Sequence, residues 1–335
     1  MNELRREPLL GRWVSVLSSS LKPEDYTPPE ETRHGGPCTL CPGESEDDSR
    51  EIYRLSDDKE DWSVKVIQRT VGVFTLEGDL GRRGVGMYDK MNSIGTNEIV
   101  IESPDHDRPA EDLGPEQMRR VINVFLTRMF ELEKDPRLRY IMIHKNCGLP
   151  SDDTYGHPHS LITAVPVIPK RIKEELDGSK HYYEYKERCI FCDLLREEER
   201  LNERIILKTE HFFTFAPYAA RFPFEVWIVP IQHRCSFRDI SEDEKNDLAY
   251  TLTVTLKKLR KVLNNPPYNY IIHTAPSRIP RRNQWHTLGE DFHWHIEVMP
   301  RIRRLSGFEL GSGMYTLSTS PEDAAKYLKE VSDGD

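Results

Sequence analysis

Glu98-Ile-Val-Ile-Glu-Ser-Pro-Asp-His106 returns later in the chain as Glu225-Val-Trp-Ile-Val-Pro-Ile-Gln-His233. In each copy a glutamate opens a β-branched apolar run, and a histidine closes it at the same offset. Upstream of each lies a Cys-x-x-Cys pair, Cys38-Thr-Leu-Cys41 and Cys189-Ile-Phe-Cys192. Downstream of each lies a His-x-His, His157-Pro-His159 and His293-Trp-His295. Asp112-Leu113 and Asp239-Ile240 follow the two central histidines at matching distances. Landmarks repeated in this order mark a duplicated unit.

The segments between the landmarks repeat as well. Met118, Val121, Ile122, Phe125, Met129 and Leu132 recur at helical spacing, and Leu248, Leu252, Leu256, Leu259 and Leu263 make the counterpart. Ser241 and Glu244 have the spacing of a capping box at the second helix. A strand-like run follows each helix, Tyr140-Ile-Met-Ile and then Tyr270-Ile-Ile. Each half therefore reads Cys-x-x-Cys, strands, helix, strand, and a strand carrying His-x-His. The expected class is α+β: two tandem repeats of mainly antiparallel sheet with helices packed on it. The halves are set at 1–178 and 179–335, with a charged, tyrosine-bearing connection over 170–185. Residues 44–59 are strongly charged and read as a surface loop. Residues 78–86, rich in glycine and arginine, lack the strand-to-helix setting of a phosphate loop.

With 335 residues, 37% hydrophobic and 31% charged, the chain suits a soluble globular protein. No apolar run approaches the length of a membrane span, and Met1 to Glu7 lacks the apolar core of a signal peptide. A cytoplasmic location is expected. The net charge of −9 opposes general attraction to nucleic-acid phosphates. Four of the six cysteines sit in the two Cys-x-x-Cys pairs. Without a secretory leader, such pairs with histidines downstream point to metal ligation before disulfides. Cys147 and Cys235 have no repeated partner, nor do His34, His144, His181, His211, His273 and His286, which read as scaffold or surface.

Each half offers two thiolates, a lone histidine (His106 or His233) and one further histidine from the His-x-His. That is the closed tetrahedral donor set of structural zinc, so two Zn²⁺ per chain are expected. The ligands are far apart in sequence, so the ion would clip the strands of its half together, at about 10 kcal/mol or more of binding free energy. Histidines two apart on a strand share a face. One could face a metal and the other a pocket, where a neutral imidazole held at one nitrogen presents the other as a nucleophile. Equally, both could simply bind metal, and the motif alone leaves the two readings level.

Taken in order, Gly11-Arg-Trp-Val14, Cys38-x-x-Cys41, Tyr88-Asp-x-Met91, Ser103-Pro-Asp-His106, His157-Pro-His159, Arg221-Phe-Pro-Phe-Glu225, His293-Trp-His295-Ile-Glu297 and Gly307-Phe-Glu-Leu-Gly-Ser-Gly313 cover nearly the whole chain. Together they resemble the galactose-1-phosphate uridylyltransferase and ADP-glucose phosphorylase branch of the histidine-triad superfamily. The resemblance implies two histidine-triad-like repeats, usually in a homodimer. It assigns one zinc to Cys38, Cys41, His106 and His157, and the other to Cys189, Cys192, His233 and His293. It makes His159 the nucleophile that attacks the α-phosphorus of a nucleotide sugar, expelling sugar 1-phosphate. A sugar phosphate or phosphate then takes the nucleotide from the histidine. Asn146 falls at a phosphate-contacting position, and Thr154 where the family often has serine.

Several positions depart from that pattern. Leu161 stands where the family has a glutamine two residues after the nucleophile. Gln68-Arg69-Thr70-Val71-Gly72 replaces a nucleoside-lining Pro-Asn-x-x-Pro segment, and Ser18-Ser-Ser-Leu-Lys-Pro23 carries none of the expected arginines. Leu149-Pro-Ser-Asp-Asp153 adds negative charge before His-Pro-His. Arg69 and Ser160 are the candidates to replace the missing donors. Three functions are therefore carried forward. The first is a nucleotidyltransferase or phosphorylase, weak on UDP-glucose with galactose 1-phosphate. The second is a hydrolase of another phosphoanhydride using His159, and the third a catalytically silent, zinc-stapled nucleotide or sugar-phosphate binder.

Overall fold

The structure, a computed structural model, describes residues 1–26, 38–43, 50–56, 62–69, 73–153, 155–277 and 286–332. A small sheet joins β1 (Glu3–Arg6) and β2 (Trp13–Val16) to β15 (Tyr315–Leu317), so both ends of the chain lie together. The first repeat follows with β3 (Glu51–Leu55), β4 (Val64–Gln68), an exposed hairpin of β5 (Arg83–Val85) and β6 (Tyr88–Lys90), then β7 (Thr96–Ile101), α1 (Gly114–Leu132), β8 (Tyr140–Cys147) and β9 (His159–Val165). After α2 (Lys170–Lys186) and α3 (Ile190–Leu201), the second repeat runs β10 (Ile205–Lys208), β11 (Phe212–Phe215), β12 (Val226–Pro230), α4 (Glu242–Val262), β13 (Tyr268–His273), the short α5 (Leu288–Asp291) and β14 (His295–Pro300). Two further helices, α6 (Gly307–Ser312) and α7 (Pro321–Glu330), flank β15.

Among the described residues the two repeats share one ten-stranded sheet, ordered β10-β11-β12-β14-β13-β8-β9-β7-β4-β3. Read from either edge, the sheet has the first, second, third, fifth and fourth strand of a repeat. The fourth strands meet antiparallel at the seam, with Tyr268 opposite Cys147 and Ile272 opposite Ile143. Both amphipathic helices lie on one face. Met118, Val121, Phe125 and Met129 of α1 share a core with Leu248, Leu252, Leu256 and Leu259 of α4 and with Val66, Val100, Ile162, Ile228 and Ile296 of the sheet. That face is closed by the helices, and the opposite face carries His159, His295 and two smaller apolar clusters.

Three sequence expectations change. The connection at 170–185 is the helix α2, so a boundary between 178 and 179 falls inside an element. Its Ile172 and Leu176 are buried against Leu9, Ile190 and Phe292, a stripe too short to stand out among the charges. Within the charged span 44–59, Glu51–Leu55 forms the edge strand β3, half-buried along its length. Third, the strands β9 and β14 begin at His159 and His295. His157 and His293 lie in the turns before them, free of the strand's two-residue alternation.

Candidate active site and metal centres

In the first repeat, Cys38, Cys41, His106 and His157 converge, with one donor atom from each within 4.8 Å of all the others. Cys41 Sγ lies 3.4 Å from His106 Nδ1 and 3.7 Å from His157 Nδ1. Cys38 Sγ is 3.8 Å from His157 Nδ1, and the two imidazole Nδ1 atoms are 3.3 Å apart. Tetrahedral bonds of about 2.3 Å to sulfur and 2.0 Å to nitrogen predict edges of about 3.3–3.8 Å, so the residues fit a metal ion. His157 donates its Nε2 hydrogen to the Ser103 carbonyl at 2.8 Å, which orients the ring with Nδ1 toward the group.

The second repeat repeats the geometry with Cys189, Cys192, His233 and His293. Cys192 Sγ is 3.4 Å from His233 Nδ1 and 3.8 Å from His293 Nδ1, and His233 donates Nε2–H to the Gly289 carbonyl. The Cys192 thiol is drawn well below its ordinary range, first by the Cys189 Sγ and then by His233 and His293, although burial opposes this. A thiolate so favoured is what a metal ligand requires. Cys147, by contrast, is pushed up to about 12 by burial, and neither it nor Cys235 joins a ligand group.

His159 lies on the face of the sheet opposite α1 and α4, with almost no exposed surface. Its Nδ1 donates to the His157 carbonyl at 2.7 Å, and the Tyr155 ring stands edge-on at 5.1 Å. Burial is the main cause holding its pKa below the ordinary histidine value, so the ring is neutral at pH 7 with the Nε2 lone pair available. The register of β8 on β9 sets His144 opposite Leu161, and continuing it by two residues brings Asn146 beside His159. Arg69, whose backbone N–H bonds to Asn97, acts electrostatically on His144. Burial first, then the charges of His159 and Arg69, push His144 down to about 4. His144 is therefore a neutral member of the site's face, a position its unrepeated sequence context did not signal.

Ser160 is not brought to that face. The alternation of the strand turns it into the core, where its hydroxyl donates to Glu102 at 2.5 Å and lies 2.9 Å from Tyr270 Oη. Lys145 closes the network with a 2.6 Å bond to the same carboxylate. A substrate contact by Ser160 is therefore corrected to a core bond, because adjacent residues on a strand face opposite ways. Leu161 packs with Leu40, Trp62, Ile67, Ile99 and Ile101 in an apolar seat beside the nucleophile. Thr154 and Thr70-Val71-Gly72 lie outside the described residues. The negative charge expected before His-Pro-His is partly absorbed: Asp153 accepts backbone N–H bonds from Gly148, Tyr155 and Gly156.

His295 has the sequence context of His159 and a different setting. It is stacked between Trp227 at 5.1 Å and His273 at 4.7 Å, with Phe191 at 4.9 Å, and it has no exposed surface. The expected crowding is real, but its source is not Trp294, which packs against Phe212 and Phe237 on the helical face. A further buried group surrounds His295. His273 Nδ1 lies 2.8 Å from Glu175, and its Nε2 lies 3.3 Å from Glu297. Burial opposes a charge there, yet the two carboxylates push His273 up to about 10. Glu175, His273, His295 and Glu297 also converge closely enough to hold a metal ion. Neither Glu175 nor His273 had a repeated sequence context, which is why both escaped the reading by landmarks.

Two family models match the chain, the galactose-1-phosphate uridyl transferase N-terminal domain over residues 1–169 and its C-terminal domain over residues 175–334. The chain is 31% identical to the ADP-glucose phosphorylase of Arabidopsis thaliana, over 98% of this chain and 93% of that one. It is 28% identical to the galactose-1-phosphate uridylyltransferase of Thermotoga maritima, over 99% of both. Its fold superposes on the crystal structure of an Arabidopsis thaliana ADP-glucose phosphorylase with bound ADP-glucose, with a TM-score of 0.82 at 30% identity and 99% of each chain covered. A structure of uridylyltransferase gives a TM-score of 0.76 at 26% identity, covering 98% of this chain and 97% of that one. No helix among the described residues is long and apolar enough to cross a membrane. Duplicated metal groups, the mirrored sheet and these matches along its length make the chain a member of the galactose-1-phosphate uridyl transferase family, an enzyme of the nucleotidyltransferase type.

Proposed function

We propose that the protein moves a nucleoside monophosphate from a nucleotide sugar to a phosphate-bearing acceptor through a covalent intermediate on His159. The carrying observation is the His159 ring itself, pinned through Nδ1–H to the His157 carbonyl, in a burial that favours its neutral form. Its Nε2 lone pair attacks the α-phosphorus, the bond from that phosphorus to the bridging oxygen breaks, and sugar 1-phosphate leaves with the electron pair. An oxygen of phosphate or of a sugar phosphate then attacks the same phosphorus and breaks the P–N bond, freeing the histidine. Asn146 and Arg69 are assigned as the donors to the developing charge. The Cys₂His₂ sets are read as two zinc sites, which fix the turns carrying His157 and His293. Support for a homodimer comes from apolar side chains left exposed on the β5–β6 hairpin (Val85, Met87, Tyr88) and on α6 (Phe308, Leu310). A cytoplasmic site of action accords with four of the six cysteines lying in metal-ligand groups.

The test is incubation with a panel of α-labelled nucleotide sugars. His159 should take up label that is labile in acid and stable in base, as a phosphoramidate is, and His159→Gln should take up none. Adduct on His295 would reverse the assignment. Tight nucleotide binding with no label would make the protein a silent binder, the reading favoured by the apolar Leu161 seat. Label lost to water without an acceptor would make it a hydrolase.

A further inference from the structure

Across the sheet's seam, Asn269 of β13 lies directly opposite Asn146 of β8. One amide nitrogen, Asn269 Nδ2, makes two bonds: 3.0 Å to the Ser151 backbone carbonyl and 2.9 Å to Asn146 Oδ1. A backbone carbonyl only accepts, so the group facing Ser151 must be the NH₂ of Asn269. The second hydrogen of that NH₂ then has to meet an acceptor, which fixes the other amide as well. Asn146 turns its oxygen to Asn269, so its own NH₂ is free of that bond, at the position that the β8–β9 register sets opposite His159. An asparagine amide is otherwise free to present either end, since the two differ little in shape.

We propose that Asn269 is a positioning residue that locks Asn146 with its N–H donors toward the anion beside His159. The inference rests on the nucleotidyl-transfer reading of the site and adds to it a residue from the other repeat. The repeat that supplies no accessible nucleophile thus contributes through the seam. The Ser151 carbonyl ties the lock to the loop that precedes His-Pro-His, so loop and amide are set together.

Asn269→Ala, Asn269→Asp and Asn146→Ala, with the two double variants, make the test, and single-turnover labelling of His159 by α-labelled ADP-glucose and UDP-glucose is the readout. Alanine releases the Asn146 amide, and the rate should fall roughly tenfold. Aspartate does more, because a carboxylate accepts and would draw the Asn146 NH₂ toward itself. The amide oxygen would then face the anion, and the loss should approach a hundredfold. Nucleotide-sugar affinity, measured by calorimetric titration, should change less than the rate. In an Asn146→Ala background the difference between alanine and aspartate at 269 should largely vanish, because the group being oriented is gone. Equal rates for wild type and both Asn269 variants, or losses that persist unchanged without Asn146, would overturn the inference while leaving the proposed function standing. Failure of wild type to take label would overturn the function and Asn269's role with it. Circular dichroism and Tm establish that the variants fold, and if the aspartate protein does not, the alanine pair completes the cycle.

Discussion

One imidazole motif occurs twice and meets two fates. His159 meets the Tyr155 ring edge-on, whereas His295 is enclosed by Trp227, His273 and Phe191. The landmark residues were legible because metal ligation tolerates few side chains and fixes their order: all eight Cys and His ligand candidates converge where the repeat placed them. What the sequence hid were groups whose partners are set by register, such as Ser160 toward Glu102 and Asn269 beside Asn146. Leu161 shows the difference in practice. From sequence, Leu161→Gln reads as the return of a missing donor, and a rate gain of roughly tenfold or more would be the sign of it. In the structure the leucine belongs to an apolar cluster with Ile99 and Ile101. Placing an amide there should lower stability by about 1–3 kcal/mol and leave the labelling rate of His159 unimproved. Denaturant unfolding together with the labelling assay decides it, since a tenfold gain would mean that the amide reaches the phosphate.

At the scale of elements, the periodic helices were the easiest to read, and α1 and α4 bury the residues their spacing named. The capping box also forms: Glu244 N–H donates to Ser241 Oγ at 3.2 Å, and Ser241 N–H donates to Glu244 at 2.7 Å. Ser241→Ala should therefore cost about 1 kcal/mol and lower Tm by about 2 °C. The helix α2 was missed because its polar face outweighs a narrow apolar one. Near the end of the chain, Glu309 of α6 accepts backbone N–H bonds from Ser306 at 2.8 Å and Thr316 at 3.1 Å and pairs with Arg303. Burial alone would raise its pKa, but Arg303 and the two N–H groups overcome this and hold the carboxyl at about 2. The folded value lies below the unfolded one. Its stabilising contribution is therefore complete above about pH 4.5 and is lost as pH falls through about 2. Glu309→Gln should lower stability at neutral pH, and acid-unfolding curves of variant and wild type should converge toward pH 2. Curves that stay parallel would show that Glu309 plays no such part.

For the whole molecule, the duplication was legible and the joining of its halves was not. Nothing in the residues of Tyr140–Cys147 or Tyr268–His273 announces that the two strands pair with each other, because that pairing satisfies main-chain groups common to every residue. A ten-stranded sheet and a core shared by both halves, with side chains from α1 and α4 together, lead to a single calorimetric transition whose van't Hoff and calorimetric enthalpies agree. Two resolved transitions would mean that the halves melt as separate bodies. Elemental analysis of protein purified without added metal should return close to two equivalents of zinc. Chelation should lower Tm, and Cys189→Ser should destabilise more than Cys235→Ser, because only Cys189 belongs to a ligand group.

The mirrored strand order also carries history. A half ending in an open fourth strand would leave its main-chain groups unpaired, and the simplest partner for such an edge is the same edge of an identical copy, turned through a half-rotation. The antiparallel seam, passing from Tyr268 opposite Cys147 to Ile272 opposite Ile143, is the arrangement that fusing the genes of such a pair would leave. Fusion ends the requirement that both copies stay alike. One ancestral pocket could then be filled with tryptophan and phenylalanine while its twin kept a less crowded imidazole, and the filled copy was free to set an asparagine opposite its neighbour's across the old boundary.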